Sequence, residues 1–181
     1  FSNCYGSYFV MTWLPTYLSE YRGFKHEALG VVAGLPLVLS VIGDVAGGTI
    51  TDSLARRFGL RLGRVAVAVV GYALASAAMF ASIWSSRAGV AAAMIAVAIA
   101  ASMFTLAASW AACMDIGGEH SAVVSATMNT AGQFGSILSP LAAGWLVTRF
   151  SDWQMPLLIL AALYAVSAIL WLFVNPGKRV L

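Results

Sequence analysis

Three polar side chains recur every four residues inside one long apolar run: Ser125, Asn129 and Gln133. Residues four apart share a helix face, so this spacing predicts one polar stripe. Comparable stripes occur elsewhere. Tyr5, Tyr8 and Thr12 are spaced three and four apart, Ser40 and Asp44 four apart, and Ser102, Thr105, Ser109 and Trp110 cluster in another apolar run. An amide offers two donors and an acceptor, which suits a ligand with several oxygens. A tryptophan offers a stacking surface and one N–H. Two readings of such stripes compete. The groups line a watery cavity, or they bind neighbouring helices to one another. Two amides on one face, with matching stripes in three other segments, favour the cavity, because a polar group facing lipid is costly. Asp44 is the one acid well inside an apolar run, and Asp52 lies about 12 Å further along at ~1.5 Å per residue. An ionisable group at membrane depth is a functional candidate by default. Asp44 is therefore expected to be proton-linked, or else held neutral by a neighbouring helix. His26 and His120 fall in polar connectors. The sequence has no metal-ligand spacing, phosphate loop, nucleophile motif or nucleic-acid patch, so neither enzyme activity nor a cofactor is expected.

The elements that must position these groups are membrane helices. Of 181 residues, 61% are hydrophobic and 9% charged, against about 25% charged in a soluble domain. That is too little polar surface to coat a soluble core. The net charge of +3 is scattered. Cys4 and Cys113 lie in apolar runs and read as small buried side chains. A bilayer span takes about 20 apolar residues, and six segments have that character: 2–18, 28–54, 65–84, 88–114, 121–147 and 156–174. Pro156 suits the first turn of the last one. Trp13, Tyr17, Trp84 and Trp153 near segment ends suggest an interfacial belt. Arg56, Arg57, Arg61 and Arg64, with Lys178 and Arg179, outweigh Arg22, Lys25, Arg87 and Arg149 on the other side. The positive-inside rule then puts both ends of the chain in the cytoplasm. The third and sixth segments carry few polar groups and are expected outermost, facing lipid. This divides the chain into two triplets, the pattern of inverted three-helix repeats.

The stretch "GGTITDSLARRFG" resembles the cytoplasmic loop motif of the major facilitator superfamily, through Gly48, Asp52, Arg56 and Arg57. Ser53 and Ala55 depart from that motif, as in its second-half copy. "YFVMTWLPTYLSE" resembles helix seven of the anion:cation symporter family. "WAACMDIGGEHSAVVSATMNTAGQFGSILSPLAAGWLV" resembles its helices ten and eleven. Gln133 stands where that family often has asparagine. The resemblance covers the whole chain.

It implies an all-α membrane protein. Residues 1–181 would form the C-terminal six-helix bundle of a major facilitator fold, helices seven to twelve, with the N-terminal half absent. It implies a secondary transporter moving a small organic anion, a sugar acid such as a hexonate or hexuronate, by proton-coupled alternating access. Asn129 would face the substrate with Tyr5, Tyr8, Ser109, Trp110 and Gln133. Gly48, Asp52, Arg56 and Arg57 would form a gate, Asp52 pairing with a loop arginine or a helix N-terminus, while Arg61 and Arg64 set topology. Pro140 and the glycines at 132, 135 and 144 would let helices approach. The partners implied are the anion, protons, the lipid bilayer and the missing half, in a bacterial inner membrane. Two other readings stay open: a different major facilitator carrier, for neutral sugar, nitrate or drugs, and an independent six-helix membrane scaffold or enzyme.

Overall fold

A computed structural model describes residues 1–178, the side chain of His26 excepted. Arg179, expected in the basic tail, and the His26 side chain, expected to be solvated, lie outside the described residues. Among the described residues every regular element is helical. They are α1 (Ser2–Thr12), α2 (Leu14–Thr16), a π turn (Tyr17–Tyr21), α3 (His26–Phe58), α4 (Leu60–Trp84), α5 (Ala88–Met103), α6 (Leu106–Gly117), a 3-10 turn (Gly118–His120), α7 (Ser121–Phe150) and α8 (Gln154–Trp171). Four stretches are long and apolar enough to cross a membrane: Glu27–Phe58, Leu60–Trp84, Ala88–Phe150 and Gln154–Trp171. The protein is an integral membrane protein.

The helix ends have local causes. Between α3 and α4 the chain turns at Gly59, whose φ of 89° a side chain would resist. Between α6 and α7 it reverses at Gly118, φ 51° and ψ −120°, and α6 packs back against α7. Two segments expected as single helices are interrupted. The first stops at Trp13, just before Pro15, and continues as a short α-helical piece and a π turn. Proline removes a backbone donor and crowds the preceding turn. The fourth is broken at Phe104 and Thr105, where the N–H of Thr105 bonds to the carbonyl of Ser102 at 3.1 Å. The Thr105 hydroxyl takes the same carbonyl at 2.7 Å. Such hydroxyl bonds to the preceding turn bend helices.

The packing defines the neighbours of the third and sixth segments. The third and sixth segments, α4 and α8, lie along each other, and α4 also packs against α5. They contribute Met79, Leu157, Leu160 and Tyr164 to the core, all fully buried. Their alanines and Gly71 let backbones approach closely. Low polarity told which segments avoid water, but not which neighbours they would choose. Exposed apolar faces lie on α3 (Val31, Val41, Val45) and α7 (Phe134, Leu141, Trp145), and also on α4 (Val70, Leu74) and α8 (Val166, Ile169). The aromatic belt is also only partly as expected. Trp84 is exposed, but Tyr17 and Trp153 are buried. Trp13 and Tyr17 each pack against Trp153 with ring centroids 5.9 Å apart, at interplanar angles of 62° and 56°.

Candidate functional site

Three charged residues from three helices meet at one end of the bundle. Asp52 is in α3, Arg64 just inside α4 and Asp115 in the last turn of α6. Arg64 donates to Asp52 Oδ1 at 2.9 Å and to Asp115 Oδ2 at 3.1 Å. The turn at Gly59 brings α4 back over α3. Gly63 lets the two backbones close, since a β-carbon there would lie 2.5 Å from the Ala55 nitrogen. The Thr51 hydroxyl then donates to the Gly63 carbonyl at 2.7 Å, and Arg64 is held on this seam with its side chain 10% exposed. The two carboxylates differ: the Asp52 side chain is 59% exposed and that of Asp115 19%. Asp115 sits at a helix C-terminus, where the macrodipole disfavours an acid. Its charge is therefore held by Arg64 and not by its own helix. The node thus joins three helices through one guanidinium.

This geometry revises the expected gate. Asp52 pairs with Arg64, the residue expected only to set topology, and not with Arg56 or Arg57. Those two are exposed in the last turn of α3, where positive charge suits the helix C-terminus. Gly48 faces the Ala107 side chain at 3.5 Å from its would-be β-carbon, an ordinary packing distance. Asp115 and Thr51 escaped the sequence reading. One signal for Asp115 was present: an acid closing the apolar run "WAACMD" just before two glycines.

The residues expected to meet substrate are spread over α1, α6 and α7. Tyr8, Trp110, Asn129 and Gln133 are exposed, Ser109 is half-buried and Tyr5 is buried. The stripe on α1 therefore does not share one environment: Tyr5 packs inward, while Tyr8 is 41% exposed. Helix α7 contacts both α1 and α6, which brings these elements side by side. Glycines on α7 make the α1 contact close. A β-carbon at Gly135 would lie 2.6 Å from the Phe1 carbonyl oxygen, and one at Gly132 2.9 Å from Cys4 Sγ. Pro140 adds a polar tie, its carbonyl accepting from the Trp13 indole at 3.0 Å. Among the described residues, Asn129, Gln133 and Trp110 make no side-chain hydrogen bond within the protein, unlike the hydroxyls of Thr127 and Thr130, which fold back onto their own helix. A cavity of 510 Å³ opens between α1, α4, α6, α7 and α8, and of the six expected binding residues only Ser109 lines it. Asp44 is half-buried and forms no ion pair among the described residues. The thiols of Cys4 and Cys113 are free.

At the other end of the bundle Arg22 makes a second polar tie. Its guanidinium donates to the Tyr17 hydroxyl at 2.6 Å and to the carbonyls of Ser85 and Ser82 at 2.7 and 2.9 Å. These carbonyls lie at the C-terminal end of α4, where backbone acceptors lack helical partners.

A family model described as the Major Facilitator Superfamily matches residues 1–180. A Cupriavidus necator protein named as a probable sulfoacetate transporter is 36% identical over 96% of this chain and 41% of its own length. A Bacillus subtilis protein named as a probable galactarate/D-glucarate transporter is 30% identical over 96% of this chain and 38% of its length. A chloroplastic ascorbate transporter of Arabidopsis thaliana is 27% identical over 100% of this chain and 34% of its length. The chain thus spans less than half the length of these curated relatives.

Proposed function

The chain belongs to the Major Facilitator Superfamily, and from that premise we propose that it forms part of a secondary transporter for a small organic anion, driven by protons through alternating access. The observation that carries this reading is a set of exposed side chains that make no hydrogen bond among the described residues: Tyr8, Trp110, Asn129 and Gln133. In an otherwise apolar bundle, such groups want a polar ligand. The substrate class is supported by relatives named for sulfoacetate and galactarate/D-glucarate transport. A sugar acid fits best. Its hydroxyls match neutral amides, and a tryptophan face can stack on its carbon skeleton. Sulfoacetate is the second reading, favoured by the relative at 36% identity.

Six crossings follow if residues 2–18 form one and the 63-residue stretch Ala88–Phe150 forms two, since a bilayer core takes about 20 residues per helix. We read them as two inverted three-helix repeats packed against a second six-helix half, with both ends in the cytoplasm of a bacterial inner membrane. The exposed apolar faces of α3 and α7 would meet that half or lipid. Arg64, Asp52 and Asp115 would close the cytoplasmic side, with Gly48, Arg56 and Arg57 around them. Tyr5 and Ser109 would back the binding face, and Asp44 would be proton-linked. The charged clamp for the anion would come from the other half, because Arg and Lys in this chain lie at helix ends and in connectors.

The test is uptake by the purified full-length protein in liposomes. Labelled glucarate, glucuronate, sulfoacetate and glucose are offered with and without an inward proton gradient. We expect one of the anions to accumulate and a protonophore to abolish the accumulation. Uptake of glucose without any anion would overturn the substrate class. Anion uptake indifferent to the gradient would overturn proton coupling.

A further inference from the structure

We propose that a groove on the outer face of α4 binds one anionic diacyl phospholipid, its phosphate on Arg61 and an acyl chain along the helix. The groove is a recess of 550 Å³ beside Arg61. Arg61, Val65 and Val69 are spaced by four, so they form one stripe down α4 with the charge at its end. Val65 and Val69 are half-buried, and the flanking Leu62 and Val70 are exposed. Phe58, the last residue of α3, and Leu172, just past α8, complete the lining.

The charge at the mouth selects the ligand. Among the described residues Arg61 is the one charged group lining the groove, and it is exposed and forms no ion pair. Arg56 and Arg57, also exposed, immediately precede Phe58, while Asp52 is already paired with Arg64. The field at this mouth is therefore positive. A long basic side chain lays its stem along apolar surface and keeps its head among polar groups. The guanidinium fork matches a phosphate through two parallel hydrogen bonds. The length also fits. From Arg61 to Val70 α4 rises ~14 Å at ~1.5 Å per residue, close to half of the ~30 Å hydrocarbon core. The groove thus runs the depth of one leaflet from a headgroup-level cation. A substrate anion suits it poorly, since none of Tyr8, Trp110, Asn129 or Gln133 lines it. Nor is another helix favoured there, because aliphatic surface gains no hydrophobic free energy by leaving lipid tails for protein. The inference rests on the chain being an integral membrane protein and not on the transport reading.

Native mass spectrometry of the full-length protein tests it. The protein is released from detergent after addition of phosphatidylglycerol or phosphatidylethanolamine with the same acyl chains. The wild type should retain phosphatidylglycerol several-fold more than phosphatidylethanolamine. Arg61→Ala should lower phosphatidylglycerol retention about five-fold, the effect of one basic residue at an anionic membrane surface. Arg87→Ala, which removes an exposed arginine at the other end of α4, should leave retention at the wild-type level. Val69→Trp, which fills the groove, should lower retention of both lipids. Phosphatidylglycerol retained alike by the wild type and Arg61→Ala, as bulk lipid or a protein segment over the groove would give, overturns the proposal. Equal retention of the two lipids by the wild type overturns selection by charge. Retention unchanged in Val69→Trp overturns the placing of the acyl chain. The Arg61 side chain is exposed, so Arg61→Ala should keep the wild-type melting temperature without added lipid.

Discussion

Asp115→Asn should destabilise the protein more than Asp52→Asn, although both carboxylates touch the same arginine. The two contacts are nearly equal in length, 3.1 and 2.9 Å, but the acids are 19% and 59% exposed. An exposed ion pair contributes about 0.2–1 kcal/mol, because water and salt replace much of what is lost. Asp52→Asn should therefore cost less than about 1 kcal/mol. A charge-assisted bond partly out of water is worth roughly 1.5–3 kcal/mol. For Asp115 that loss is offset in part, since removing an acid from a helix C-terminus returns about 0.3–1 kcal/mol. The net cost of Asp115→Asn is then roughly 1–2 kcal/mol. Arg64→Met should be worst, at about 3 kcal/mol, because it strands Asp115 in a mostly dry place. Adding Asp115→Leu to Arg64→Met should recover much of that loss, since an apolar pair of similar volume can replace a buried ion pair. The assay is thermal unfolding in detergent of these four variants, the Asp115→Leu single variant and the wild type, so that Arg64→Met, Asp115→Leu and their combination close a double-mutant cycle. Equal losses at Asp52 and Asp115, or a coupling between Arg64 and Asp115 below about 0.5 kcal/mol, would refute the reasoning from exposure.

If the Asp52–Arg64–Asp115 node gates the carrier as proposed, Asp52→Asn should nevertheless slow transport more than it weakens equilibrium substrate binding; uptake and binding measured side by side decide this. Asn129→Ala should weaken substrate binding several-fold with little loss of melting temperature, one neutral hydrogen bond being worth about 0.5–1.5 kcal/mol. The reverse pattern would make Asn129 a helix tie. Arg22→Ala should cost about 2 kcal/mol by uncovering the α4 carbonyls and the Tyr17 hydroxyl. Arg22→Lys should restore only part of it, since lysine lacks the planar fork, and chemical denaturation of both variants checks the ordering. Gly63→Ala should cost roughly 1–3 kcal/mol through overpacking against the α3 backbone and should loosen the Arg64 node, read as faster amide exchange around Thr51.

What the sequence determined by itself was set by one-dimensional physics. Backbone groups in lipid must be satisfied within their own segment, so the long apolar runs had to become helices. The connectors "ARRFGLRLGR" and "DIGGEH" were legible from their polarity, whereas the structure showed that Gly59 and Gly118 carry the turns, at φ 89° and 51°. The polar residues of α6 and α7 were legible as candidates from type and spacing, and Asp52 from its motif. Tertiary structure decided the rest. Asp52 chose Arg64 over the nearer Arg56 and Arg57, because the turn at Gly59 carries the twelfth residue on back beside it, and linear distance says nothing of that. Tyr5 and Tyr8 are three residues apart, yet one is buried and the other exposed. A face is fixed by helical period, but its surroundings depend on which helix packs there. The break at Thr105 was likewise hidden, since serine and threonine hydroxyls can bond within any helix. Its contacts there, Asn3 of α1 donating to the Thr105 hydroxyl at 3.3 Å and Gly71 of α4 against the Thr105 methyl, exist only in the fold.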